Sequence, residues 1–243
     1  MIVAPVEPGW KIYFHKAHAL LAMDIGLAID HRYWPVRKYL AAGLGSIGEH
    51  DNAQPNWNGR DNLTEAGAPL DYRDRKEVNL KQASAVVRSA QYKSSFMAIM
   101  VSLHCQNLYR DSADKDVIEF LDKQRRLRNR YEVHLNLDSK AVLQSYEFLR
   151  FCDDLSLALC QDEISRRDEI PIEPIIGDEK ISLKAEKEGS FTLRPWIFFE
   201  DELVFPVEFF RTTKRFFGSD EELKQDIALD KPLVREFVFR KSE

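Results

Sequence analysis

"ISLKAEKEGSFTLRPWIFFEDELVFPVEFF", Ile181 to Phe210, alternates apolar and polar residues around two turn signals, EGS and EDE. Successive side chains of a strand point to opposite faces, so this pattern predicts antiparallel strands with one face buried. The β character begins after Pro171 and continues beyond the quoted stretch. GSDEELKQDIA predicts a short capped helix, and PLVREFVFR a last strand.

Upstream of Pro171 the period changes. From about His15 to Arg167 the apolar residues recur at helical spacing. The pattern predicts helices over about His15–Asp30, Pro35–His50, Asn79–Tyr109, Asp114–Arg130 and Ser139–Arg166. Pro35 suits a first helical turn, where its missing N–H is no loss. The fourth helix is acidic early and basic late, which matches the helix dipole. Met1–Val6 and Trp10–Phe14 predict two short strands around a Pro-Gly turn, free to pair with the C-terminal ones. The expected fold is therefore mainly α. Residues 1–169 form a helical bundle with short N-terminal strands, and residues 170–243 form a small antiparallel β subdomain packed on it. Asn52 to about Arg75 is one long irregular loop, a length usual for lids and other functional loops.

The chain has 243 residues, 44% apolar and 31% charged, an ordinary composition for a soluble globular protein with a real core. A formal charge of −5 argues against unspecific attraction to nucleic acid or to an anionic membrane. Cys105, Cys152 and Cys160 are odd in number. The last two lie about 12 Å apart on one predicted helix, too far for a disulfide. Reduced thiols, no signal-peptide pattern and no apolar run long enough to span a bilayer give a cytoplasmic expectation.

Helical spacing also decides which polar groups share a face with apolar ones. His18 lies on the stripe of Phe14, Leu21, Ala22 and Ile25. His50 and Asp51 end the second helix beside Gly43, Ser46, Ile47 and Leu44. In "RFCDDLSL", Asp153 falls with Tyr146, Leu149, Leu157 and Cys160, whereas Asp154 falls on a wetter face with Glu147, Arg150 and Gln161. His104 sits in the apolar helix SSFMAIMVSLHCQNL. Any one buried His or Asp is commonly a satisfied core residue. Several of them in one helical core are costly to satisfy singly, and a shared cation satisfies most at once.

The ordered set of His18, the dipeptide His50–Asp51 at a helix end and Asp153 in "DDLSL" resembles the HD-domain superfamily of metal-dependent phosphohydrolases. "HKAHALLA", "EHDNAQ" and "FCDDLSLALC" together resemble an uncharacterised bacterial branch of HD-like proteins. The resemblance covers about His15 to Gln161 and departs from many members at Asn52, where Asp or Gly often follows. It implies that His18, His50, Asp51 and Asp153 bind one divalent transition metal, and the ligand types do not choose among Mn, Fe, Co, Ni and Zn. It further implies that the metal activates a water against a phosphate ester, a small phosphorylated metabolite or nucleotide, with Asp51 and His104 in catalytic roles. Asn52, Gln54 and Trp57 in the adjoining loop are the expected substrate-binding residues. The alternative is a non-catalytic HD-like module that binds a ligand or partner. Either leaves room for a homo-oligomer.

Other candidates read more simply. KQRRLRNR, Lys123 to Arg130, matches a solvated, dipole-matched helix face better than a phosphate or nucleic-acid site. His15, at the helix start, and His31 look peripheral, and His134 lies in a charged stretch. Trp57 and Tyr72 anchor the long loop, and the cysteines pack.

Overall fold

Among the described residues, seven strands make one sheet in the order β1-β2-β6-β7-β5-β4-β3. They are β1 (Ile2–Pro5), β2 (Trp10–Tyr13), β3 (Glu169–Ile176), β4 (Glu179–Ala185), β5 (Phe191–Arg194), β6 (Glu202–Arg211) and β7 (Leu233–Arg240). Neighbours run antiparallel except β5 and β7, which are parallel. The structure is a computed structural model that describes residues 1–52, 61–75, 78–186 and 189–242.

The helices are α1 (His15–Ala28), α2 (Leu40–Glu49), α3 (Leu80–Gln91), α4 (Ser95–Tyr109), α5 (Lys115–Leu135), α6 (Ser139–Cys160) and α7 (Asp220–Ile227). Side chains close several of their N-termini: Asn79 accepts from the Gln82 N–H, Asp114 from Asp116 and Val117, Asp138 from Ala141, and Ser219 from Glu222. Such caps satisfy donors that the helix itself leaves open. No described helix is long and apolar enough to cross a membrane.

The expectation of a mainly α bundle with a small β subdomain is overturned. About 50% of the chain is helical and 21% is strand, in a large mixed sheet. β1, β2 and β4 to β7 lie in stretches that read as strands; β3, Glu169–Ile176, begins before Pro171 and does not read as one, and the local pattern also misses the union of the strands. Lys11 pairs with Arg211 and Ile12 with Phe210, so the N-terminal hairpin joins the edge of the C-terminal strands. The sheet is a principal layer. One continuous core runs from Leu21 and Ile25 of α1 and Leu149 and Leu155 of α6 to Leu183, Leu193, Phe205, Phe237 and Phe239 on the sheet.

Four helix boundaries also move, one of them at α5, which is expected to end at Arg130 and runs on to Leu135. The expected helix from Asn79 to Tyr109 is two, because Ser94 turns out of the helix and its side chain caps α4 by accepting from the Phe96 N–H at 3.2 Å. The second helix begins at Leu40 after short 3-10 turns. The fifth expected helix ends at Cys160, where Asp162 takes a left-handed conformation with φ 54° before a 3-10 turn.

The β3–β4 hairpin turns through Gly177 and Asp178, both with positive φ, as a two-residue turn that follows the twist of its strands requires. The β1–β2 hairpin is seated differently. The Trp10 N–H donates to Thr212 Oγ1 at 2.9 Å, and the Thr212 N–H donates to the Trp10 carbonyl at 2.9 Å. A Cβ on Gly9 would lie 2.4 Å from both the carbonyl oxygen and Oγ1 of Thr212. Replacing Gly9 by Ala is therefore expected to lever the N-terminal hairpin away from β6. The cost is about 1–3 kcal/mol, read as a lower urea midpoint with an unchanged slope.

Candidate metal centre

α1, α2, α4 and α6 bring four of the six histidines and two aspartates together. α1 contributes His15 and His18 from its first turn, one helical turn apart. α2 ends at His50 and Asp51, α4 supplies His104 and α6 supplies Asp153. His15, His18, His50, His104 and Asp153 are buried, and Asp51 is partly buried. The imidazoles meet edge to face in a row, with ring centroids 5.6 Å apart for His15–His18, 5.4 Å for His18–His50 and 4.8 Å for His50–His104.

Hydrogen bonds fix what two of these rings present. His18 Nδ1 lies 3.0 Å from Ser156 Oγ. The Ser156 hydroxyl gives its own hydrogen to the Asp153 carbonyl at 2.8 Å, so it accepts from His18. His50 Nδ1 lies 2.6 Å from the Ile47 carbonyl, which can only accept. Both rings thus spend Nδ1–H on the protein and turn Nε2 inward. Partners of this kind are what orient metal-binding histidines.

The two Nε2 atoms face carboxylates. His18 Nε2 is 3.2 Å from Asp51 Oδ2, and His50 Nε2 is 3.6 Å from the same oxygen. His50 Nε2 is also 3.3 Å from Asp153 Oδ1, off the hydrogen-bonding direction, so both atoms are buried without a hydrogen bond. His18 Nε2 and Asp51 Oδ2 are within hydrogen-bonding geometry, whereas the facing lone pairs of His50 Nε2 and Asp153 Oδ1 call for a positive charge between them, a proton or a metal ion. Metal–donor bonds of about 2.1 Å put neighbouring donors about 3.0–3.4 Å apart, close to these spacings. The donor set of imidazoles and carboxylates suits a divalent transition ion and does not choose among Mn, Fe, Co, Ni and Zn.

In the ion-free protein a proton meets part of this demand. Burial alone would lower the pKa of His50, but the charges of Asp153 and Asp51 outweigh it and raise it to about 10. Burial would raise both carboxylates; His50 and the other imidazoles instead bring Asp153 down to about 2 and Asp51 well below the usual range.

The outer histidines differ. His15 donates from Nδ1 to Asp51 Oδ2 at 3.1 Å and packs edge to face on Tyr72. Burial lowers its pKa to about 4. His104 has no partner at its buried Nδ1, and burial together with the nearby His50 lowers its pKa to about 4. It lacks the anchoring bond that His18 and His50 have.

A cleft of about 180 Å³ opens over the cluster, lined by His15, His18, Asp51, His104 and Asp153 together with Tyr72, Arg75, Asn79, Gln82 and Tyr109. Asn52 is exposed and does not line it, its N–H closing the turn onto the Glu49 carbonyl at 3.0 Å. Gln54 and Trp57 lie outside the described residues. Asp154 is half-buried, lines a neighbouring cleft, and is raised to about 7 by burial and by Asp153. His31 and His134 are exposed. Of the basic run on α5, Arg128 is buried against Ser102 and the rest is largely at the surface.

Spacing alone missed Ser156 and undervalued His15. Ser156 follows Asp153 by one helical turn on the same buried face, and His15 precedes His18 by one turn. That i, i+3 spacing was the signal available for both.

Residues 1–213 match a family described as "Protein of unknown function (DUF3891)". The chain belongs to that family. Neither a curated protein nor a solved structure matches it. The DUF3891 match contains all six residues of the cluster and ends just after β6.

Two outcomes follow from the hydrogen bonds and protons. Ser156→Ala frees the His18 ring and is expected to weaken binding of a divalent ion about 10- to 100-fold, measured by competition with a chelator. An ion must also displace the proton that His50 holds up to about pH 10. Apparent affinity should therefore rise as pH rises, by about tenfold per unit across roughly pH 6 to 8, with proton release visible by calorimetry in buffers of different ionisation enthalpy.

Proposed function

We propose that this protein is a metal-dependent hydrolase of a small phosphorylated molecule, with one divalent transition-metal ion held by His18, His50, Asp51 and Asp153. The supporting observation is the pair of inward Nε2 atoms, committed by Ser156 and Ile47 and facing the two carboxylates. The order of these residues resembles that of the HD phosphohydrolases, which supports phosphate ester as the substrate class. When bound, such an ion polarises a phosphoryl oxygen and acidifies a water.

The chain's own groups do the remaining work. Ser156 and the Ile47 carbonyl hold two donor rings in one orientation, so no reorganisation is needed during reaction. His15 fixes the Asp51 carboxylate from the cleft side. Burial keeps the His104 pKa low, so its ring is neutral at physiological pH. A neutral ring lining the cleft can donate a hydrogen bond to the ester oxygen on which charge develops, which makes it the candidate catalytic side chain. Tyr72, whose hydroxyl accepts from Gln161 Nε2 at 2.8 Å, forms a wall that the bound ester would meet.

The test is metal analysis of the purified protein and a screen of phosphomonoesters and phosphodiesters with added Mn, Co or Ni. Wild type should retain a divalent ion and turn over an ester, and Asp51→Ala should lose both. A protein that takes up no ion, or an Asp51→Ala variant that keeps it, would end this reading. His104→Gln should keep the ion and lower kcat about 10²–10⁴-fold, which separates a catalytic role from a ligand role.

A further inference from the structure

Among the described residues, four buried side-chain atoms without a hydrogen-bond partner gather at one place: His50 Nε2, Asp153 Oδ1, His104 Nδ1 and the Tyr146 hydroxyl. The first two face each other across the metal centre, where a proton or an ion answers them. The other two belong to the contact between α4 and α6, and the metal centre accounts for neither.

His104 is 5% exposed and Tyr146 7%, and their rings meet edge to face with centroids 6.4 Å apart. Nδ1 is the buried nitrogen of His104, and the ring lines the cleft. Nε2 is therefore the nitrogen on the cleft side. A neutral imidazole carries its one N–H on either nitrogen, and the surroundings choose. An N–H on Nδ1 would be a buried donor, and the unpartnered group beside it is a phenol. Were that N–H given to the phenol oxygen, the phenol's own O–H would stay unanswered. A lone pair on Nδ1 instead lets one O–H satisfy both groups, and unanswered buried donors are the costlier fault. Burial holds the Tyr146 proton well above the ordinary phenol range, so the donor is present at any working pH.

Resting on the hydrolase reading above, we propose that Tyr146 is the positioning residue for His104. Its hydroxyl donates through one buried water to Nδ1, which fixes the N–H on Nε2, where the substrate arrives. Presented that way, the ring donates to the ester oxygen on which charge develops. The opposite tautomer would turn a lone pair toward that oxygen and repel it.

The experiment is nitrogen-15 NMR of Zn-loaded protein labelled at histidine, comparing wild type with Tyr146→Phe; His104→Gln assigns the ring by loss of its signals. Wild type is expected to show His104 with its proton on Nε2 and a hydrogen-bonded lone pair on Nδ1. In Tyr146→Phe the ratio of the two tautomers should shift about 3- to 10-fold toward Nδ1–H, the size of one ordinary hydrogen bond. On an ester that the protein hydrolyses, kcat should fall by a similar factor with KM unchanged. Retained Nδ1–H signals from His18 and His50 show that the variant keeps the cluster intact. A wild-type ring protonated on Nδ1, an unchanged ratio or an unchanged kcat overturns the proposal. If the variant does not fold, the wild-type spectrum decides alone: a hydrogen-bonded Nδ1 lone pair supports the proposal, and one free of any hydrogen bond overturns it. If no Zn binds and no ester is turned over, the hydrolase reading fails separately, and the tautomer ratio in ion-free protein still decides the role of Tyr146.

Discussion

Two imidazole N–H groups are committed before any ligand arrives. Ser156 takes one and the Ile47 carbonyl takes the other, and both bonds lie within the helical layer. Everything at the centre follows from that choice. With Nδ1–H spent, each neutral ring turns its Nε2 lone pair toward Asp51 and Asp153, and in the low-dielectric surroundings a proton or a cation must resolve the mismatch. Swapping the acceptor at Ser156 for an apolar group would release the tautomer, and with it the reason for a cation to sit there.

The fold supplies the rigidity that such an arrangement needs. α1 and α6 lie against the sheet through one continuous apolar core, so His18 and Asp153 are set by packing rather than by a loop. α2 reaches the same point with its C-terminal end, where the helix stops and two consecutive side chains can both turn inward. α4 closes the back. The row of edge-to-face rings fills the space that apolar side chains would otherwise occupy.

Helical period made the inner part of this site legible. It placed His18 with Leu21 and Ile25, and it chose Asp153 over Asp154 although the two are adjacent. His15 was less legible, because a helix's first residue carries no periodic signal on its N-terminal side. Tyr72 and Arg75 reach the cleft along an irregular segment, whose path no local pattern encodes. The sheet shows the same divide. Its strands alternate visibly, but the pairing of Ile12 with Phe210 joins residues far apart in the chain, and nothing local announces it. The break between α3 and α4 was visible only as Ser94, a good cap inside an otherwise helical run.

The DUF3891 match ends before α7, yet Asp220 at the start of that helix clamps Asn62, which accepts from Arg75, and so reaches the rim of the cleft. β7 has a related position in the sheet. It lies between β6 on one side and β5 on the other. Without that strand the sheet would be two separate flaps, β1-β2-β6 and β5-β4-β3, each with an open edge. β7 is thus the seam that makes one layer of the two halves, and its loss would expose two unpaired edges to other chains.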